Sequence, residues 1–221
     1  MPDWIVCGWY TPDYRPYWHS LRADLEAIGA PHDFVEVAKL SGEWEDNVSR
    51  KAQHALDAIN RNPNKTIILL DVDCSVPGGI EGLNELADAP GDVAFHFNAR
   101  WNTNWSSRLV RIGVRSGTMV FKPTDKARRF VQDWIDESRN APRYSVDQDT
   151  LAIVLGKGNT SIGLLESRFC ARPKDGVSFP VILHDAASRT AIKAGRLARA
   201  WSRLKSGRTQ AESVGTKHSV I

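Results

Sequence analysis

The run Thr66–Asp73, read as Thr-Ile-Ile-Leu-Leu-Asp-Val-Asp, constrains this chain more than any other segment. Four aliphatic residues stand between a polar stretch (Asn62, Pro63, Asn64, Lys65) and two aspartates. A short apolar run bounded by turn signals predicts a strand buried on both faces, as in parallel sheets. Open α/β sheets take their ligands beyond the carboxyl ends of the strands, where Asp71 and Asp73 stand. Residues two apart in an extended chain point the same way. Two such carboxylates repel each other, and their hard oxygens suit Mg2+ or Mn2+. The alternative is an ordinary strand end followed by a solvated turn.

Around this strand the sequence alternates in period. Trp4–Tyr10 is apolar and aromatic and predicts a first strand, ending at Thr11-Pro12-Asp13. Tyr17 to Ile28 has helical spacing (Trp18, Leu21, Leu25, Ile28) and stops at Gly29. Phe34–Val37 alternates as a short strand. Trp44 to Ile59 predicts a second helix, with Val48, Ala52, Ala55, Leu56 and Ile59 on one side. Strand, helix, strand, helix, strand is the order of a parallel sheet with right-handed crossovers. Further on, Val93–Phe97 predicts a fourth strand and Asn98–Ser107 a loop. Leu109–Val114 and Thr118–Phe121 predict strands around Ser116-Gly117. A helix is expected from Thr124, its cap, to about Arg139. Another is expected over Asp147–Leu155, capped by Ser145 or Asp147. Ser161–Leu165 and Val181–Leu183 are late strands, the second ending at His184. The fold class is α/β, one domain over 1–185 with a mixed, mostly parallel sheet flanked by helices.

Charge separates the body from the tail. The chain carries 29 basic and 26 acidic residues. Beyond Asp185 stand eight basic residues and one acid, Glu212, so the tail is +7 and the body −4. The basic balance therefore belongs to the tail, and a nucleic-acid-binding body is not supported. On a helix over 186–206, Arg189, Lys193, Arg196, Arg199 and Arg203 fall on one arc beside Ala194, Leu197, Trp201 and Leu204. Such a basic amphipathic helix suits an anionic membrane surface through residues 189–204. A terminal helix docked on the body fits the same pattern. Residues 207–221 are polar and small, which predicts disorder. Cys7, Cys74 and Cys170 make no metal or disulfide spacing and suit a reducing compartment. Cys74 adjoins Asp73, but thiolates suit softer metals than a carboxylate pair does, so it reads as a bystander. No signal peptide or membrane span is legible, so the expected location is cytoplasmic, peripheral to a membrane if the tail binds one.

Several groups can join the carboxylate pair. His184 follows the apolar run Val181-Ile182-Leu183, and an imidazole with two carboxylates makes a manganese set. A histidine capping a strand end or bonding to Asp185 is the alternative. Asp147 and Asp149 flank Gln148 at a helix start, where acids favour the positive end of the dipole. One of them could instead orient a hydroxyl nucleophile or hold a sugar. Ser116-Gly117-Thr118 is a corner that allows close approach of a ligand to the backbone, or is a plain hairpin turn.

These motifs together resemble the GT-A fold of nucleotide-diphospho-sugar transferases. The likeness covers most of Trp4 to Arg189. It rests on Trp9-Tyr10-Thr11, Trp44 through Lys51, Leu70-Asp71-Val72-Asp73, Val114 through Phe121, Asp147 through Leu151, and Ile182-Leu183-His184. Their order is more specific than any one of them. The resemblance implies that Tyr10 and Thr11 line the nucleotide pocket and that Lys51 approaches the nucleotide or its phosphates. Ala52 follows Lys51 where proline is common in related sequences. The resemblance makes Asp71, Asp73 and His184 the metal ligands, with Asp71 also near the ribose. Ser116 and Gly117 would floor the sugar pocket. Asp147, Gln148 and Asp149 would face donor sugar and acceptor, Asp147 or Asp149 serving as base in an inverting enzyme. Arg189 is left as a partner for the diphosphate. The implied activity is metal-dependent transfer from a nucleotide-diphosphate sugar to an unidentified hydroxyl of a glycan, lipid or protein. A UDP-sugar is the donor by family habit. Two rivals remain at this point: a haloacid dehalogenase-type phosphohydrolase, whose nucleophile motif also reads Asp-x-Asp, and a non-catalytic nucleotide or sugar binder of the same fold.

Overall fold

A computed structural model of the chain describes residues 2–41, 46–47, 49–101, 110–142 and 145–184. Met1–Asp185 is one compact unit. The expected helix over 186–206, the tail 207–221 and Arg189 lie outside the described residues.

The central strands are β1 (Trp4–Tyr10) and β3 (Thr66–Leu70). All five residues of β3 are buried, as an unbroken apolar run between two covered faces requires. β2 (His32–Glu36) and β3 flank β1, both parallel to it. β6 (Val110–Phe121) then runs antiparallel to β3 and to β5 (Val93–Trp101), and β7 (Ile162–Leu164) pairs parallel with β5. The order β2-β1-β3-β6-β5-β7 gives the expected mixed, mostly parallel sheet.

Alternation along the strands feeds two cores. Trp4, Val6, Ile68, Leu70 and Val120 pack on one face under α1 (Arg15–Ala27) and α3 (Gly79–Ala87). Ile5, Cys7, Ile67, Leu69 and Met119 pack on the other, under α2 (Lys51–Arg61), α4 (Asp125–Asn140) and α5 (Asp147–Gly156). α4 illustrates why these segments are helical. The Thr124 side chain accepts the Ala127 N–H at 3.1 Å, and Ala127, Phe130, Val131, Trp134 and Ile135 form one buried stripe.

Several expectations are corrected. Ser116-Gly117 is no hairpin turn, because β6 runs through it unbroken. The register with β5 jumps from Phe95↔Met119 to His96↔Arg115, leaving Ser116, Gly117 and Thr118 as a bulge. β5 extends to Trp101, into the segment expected as a loop from Asn98. The second helix begins at Lys51, Ser49 and Arg50 being turn residues; Trp44 and Val48 fall outside the described residues. α5 is capped by neither Ser145 nor Asp147: its N-cap is Val146, whose N–H donates to Asp149 Oδ2 at 3.2 Å. α3 was not anticipated, nor was β4 (Cys74–Ser75). The late strand expected over Val181–Leu183 is the shorter β8 (Leu183–His184), which pairs antiparallel with β4 in a separate two-stranded sheet.

Candidate functional site

β3 ends at Leu70, and the Asp71 N–H donates to Gly117 O at 2.9 Å, fastening the strand's carboxyl end to the bulge. The small sheet brings in the third group, pairing Cys74 with His184. β8 is held on its other side by Ala171, whose carbonyl accepts the His184 N–H at 2.8 Å. Glycines of α3 and its N-cap admit the chain leading to β8. A Cβ on Gly78 would lie 2.6 Å from Val181 Cα, and one on Gly82 2.6 Å from Val181 Cγ1. The result is that ligand atoms of Asp71, Asp73 and His184 lie within 4.8 Å of one another.

Gly117 makes this approach possible. A Cβ there would lie 2.7 Å from His184 Cε1, 2.9 Å from its Nδ1 and 3.3 Å from Asp71 Oδ2. The Nε2 side of the ring meets Thr118 Oγ1 at 2.8 Å. Burial pushes the His184 pKa down to about 4; Asp71 opposes this, while Lys51, Arg115 and Arg172 add to it. The imidazole is thus neutral near pH 7, the form that binds metals. Two carboxylates and a neutral imidazole, converging where a side chain is missing, fit a divalent ion such as Mn2+ or Mg2+.

Behind Asp71, Asp73 and His184 lies a buried ion-pair network. Lys51 is 5% exposed, and its Nζ donates to Asp71 Oδ1 at 2.7 Å and to Ser116 O at 3.2 Å. It also pairs with Asp147 Oδ2 at 3.0 Å, an oxygen that accepts the Ser116 hydroxyl at 2.6 Å. Burial works against the lysine's charge, but Asp147 and Asp71 outweigh it and hold the ammonium well above the ordinary lysine range. The Trp9 ring lies 5.6 Å from Nζ. Lys51 therefore faces carboxylates and a carbonyl rather than open solvent.

The other expected residues divide by position. Tyr10 ends β1 on the same carboxyl edge and stacks on Trp18 with centroids 5.7 Å apart; Thr11 follows it and bonds to Asp13 at 2.5 Å. Gln148 is exposed and its amide reaches Ser116 Oγ at 3.4 Å. Asp149 is exposed at the helix start and caps it through the Val146 N–H. Thr118, the last residue of the corner Ser116-Gly117-Thr118, and Cys74, which was not assigned to the site, also take part. Thr118 bonds His184. Cys74, read as a bystander, supplies the backbone partner of His184 and donates its thiol to Asp71 O at 2.9 Å. Tyr14 stands near the carboxylates: burial first, then Asp73 and Asp13, push its phenol up to about 12. Thr118 was legible in the corner Ser116-Gly117-Thr118, whereas the part played by Cys74 depends on its long-range pairing with His184.

No protein-family model matches the chain, and no curated protein matches it by sequence. Solved structures do. A glycosyltransferase involved in glycosylation of the major capsid of PBCV-1 superposes with a TM-score of 0.63 at 14% identity, covering 83% of this chain and 92% of that one. The galactosyltransferase LgtC, solved with donor and acceptor sugar analogues, gives 0.52 at 11% identity, with 83% and 87% covered. The glycosyltransferase GlyE of Streptococcus pneumoniae TIGR4 gives 0.51 at 14% identity, this chain covering 54% of its length. At these identities the likeness establishes the fold, which is that of GT-A glycosyltransferases. No helix among the described residues is long and apolar enough to cross a membrane.

Proposed function

We propose that this chain, folded as GT-A glycosyltransferases are, transfers a sugar from a nucleotide-diphosphate sugar to a hydroxyl acceptor. The observation that carries the reading is the convergence of Asp71, Asp73 and His184, from segments more than a hundred residues apart, at the carboxyl edge of such a sheet. In this reading the three hold Mn2+ or Mg2+. A divalent ion there would neutralise charge gathering on a diphosphate leaving group.

The chain's own residues do the rest. Tyr10 and Thr11 border the nucleotide side. Gly117, without a side chain, lets the imidazole pack against the bulge, and the two together floor the sugar side of the site. Exposed Gln148 offers its amide to sugar hydroxyls, while buried Ser116 lies beneath it and fixes Asp147. Of the two acids at the start of α5, Asp149 is exposed and is our choice for the acceptor hydroxyl. Asp147, bound to Lys51 and Ser116, balances the lysine's charge beneath the site and is not available to the acceptor. A UDP-sugar is the preferred donor. The basic segment 189–204 suits an anionic membrane surface, and a lipid-linked acceptor is the proposal that goes with it.

The test is a panel of nucleotide-diphosphate sugars with and without Mn2+, followed by release of the nucleoside diphosphate. Metal-dependent release from one donor, at least a hundredfold slower in Asp73→Ala, supports the proposal. Release of inorganic phosphate from simple phosphate esters would favour a phosphohydrolase. Metal-dependent binding without turnover on any donor would favour a binding protein.

A further inference from the structure

Lys51 opens α2 with its ammonium sealed inside the protein. An ammonium has three protons and no other hydrogen-bonding capacity. Three oxygens stand within 3.2 Å of Nζ: Asp71 Oδ1 at 2.7 Å, Asp147 Oδ2 at 3.0 Å and Ser116 O at 3.2 Å. The three protons are thereby matched, and none is left for a phosphate. The consequence falls on Asp71. Its Oδ1 is engaged by the lysine, while Oδ2 borders the point above Gly117 that the His184 ring also borders, at 3.3 Å against 2.7 and 2.9 Å. Asp71 therefore has one oxygen turned to the imidazole and one turned away.

That division bears on which ion the group accepts. Mg2+ requires near-ideal octahedral coordination, whereas Ca2+ takes six to eight oxygens and readily uses bidentate carboxylates. We propose that Lys51 is a positioning residue that limits Asp71 to single-oxygen ligation and so biases the site toward small octahedral ions and against Ca2+. Asp147 completes the device. Its carboxylate balances the lysine, so the pair adds no net charge beside the arriving cation. Ser116 fixes Asp147 by its hydroxyl at 2.6 Å. The inference rests on the metal group of the proposed function, but its readout is metal choice rather than turnover.

The experiment is calorimetric titration of the full chain, stripped with chelator, by Mg2+, Mn2+ and Ca2+ separately. Lys51→Met frees Asp71 Oδ1 but leaves Asp147 buried against one hydroxyl. The double variant Lys51→Met with Asp147→Asn removes that strain and keeps the pair neutral. Both should raise the ratio of Ca2+ to Mg2+ affinity by about tenfold, the usual size of effects from groups that orient metal ligands. Asp147→Asn alone keeps the Lys51–Asp71 bond. It should weaken all three ions together with the ratio unchanged. A wild-type ratio in the double variant, or an equal shift in Asp147→Asn, overturns the inference while leaving the metal group standing. A wild-type chain that binds none of the three ions removes the metal group and this inference with it.

Discussion

Replacing Gly117 by alanine tests whether the missing side chain exists to bring the candidate ligands together. The new Cβ would stand 2.7 Å from His184 Cε1 and 3.3 Å from Asp71 Oδ2, and ordinary contact begins at 3.4 Å. The imidazole must withdraw by 0.7 Å, the difference between 3.4 and 2.7 Å. Metal–ligand distances tolerate changes of only about 0.2 Å. The shift also stretches the 2.8 Å contact between His184 and Thr118. Overpacking of this kind costs about 1–3 kcal/mol, and a lost hydrogen bond about 1 kcal/mol. Stability measured by urea denaturation should therefore fall by roughly 2–4 kcal/mol on those figures. Mn2+ affinity measured by calorimetry should fall by about tenfold or more. Gly163→Ala is the control, because its Cβ would meet Pro90 O at 2.0 Å beside β7, at the edge of the sheet. That variant should lose stability and keep its Mn2+ affinity. Unchanged Mn2+ binding in Gly117→Ala, or equal loss in both variants, would refute the reasoning.

Two further outcomes concern the loop that precedes β8. Phe179 is 93% exposed with φ at +55°, a left-handed conformation that costs a bulky residue about 1–2 kcal/mol. Phe179→Gly removes that strain at a smaller cost in unfolded-state entropy, so thermal denaturation should show a gain of roughly 0.5–1 kcal/mol; a loss would mean the ring is anchored. Asp175 accepts from Arg115 at 2.7 Å and from Arg172 at 3.1 Å. Burial opposes its charge, but Arg172 and Arg115 outweigh it and hold the carboxyl below the ordinary aspartate range. Its contribution is therefore complete above the unfolded aspartate value near 3.8 and is lost as pH falls through the lower folded value. Asp175→Asn should cost on the order of 2 kcal/mol at pH 7 and flatten the acid limb of stability against pH, whereas parallel limbs in the two proteins would contradict the pairing.

The readable parts of the fold are those with long, clean periodicity. β3 announced itself by four aliphatic residues between turn signals, and α4 by Thr124 and a stripe from Ala127 to Ile135. α3 was hidden because Gly79 and Gly82 lower helix propensity and break the apolar pattern, yet Gly82 is there to admit Val181. β4 has two residues, too few for any period, and the strand read from Val181-Ile182-Leu183 is shorter and later as β8. Ser116-Gly117 resembled a turn because serine and glycine favour turns; tertiary bonding between Asp71 and Gly117 makes it a bulge instead. The acidic half of the candidate metal group was legible because both aspartates share one strand end. His184 was legible as a candidate, but its route to them was not, since it depends on pairing with Cys74. Burial of Lys51 could not be read locally. A lysine is almost never buried unless paired, and its partners Asp71 and Asp147 lie 20 and 96 residues away.

The central claim is that Asp71, Asp73 and His184 hold one divalent ion together. Electron paramagnetic resonance of Mn2+ added to the full chain, with detection of nitrogen hyperfine coupling, tests it most directly. One bound Mn2+ per chain is predicted, with an imidazole nitrogen signal that vanishes in His184→Ala and ion binding that is lost in Asp73→Ala. A Mn2+ spectrum identical in all three proteins would contradict it.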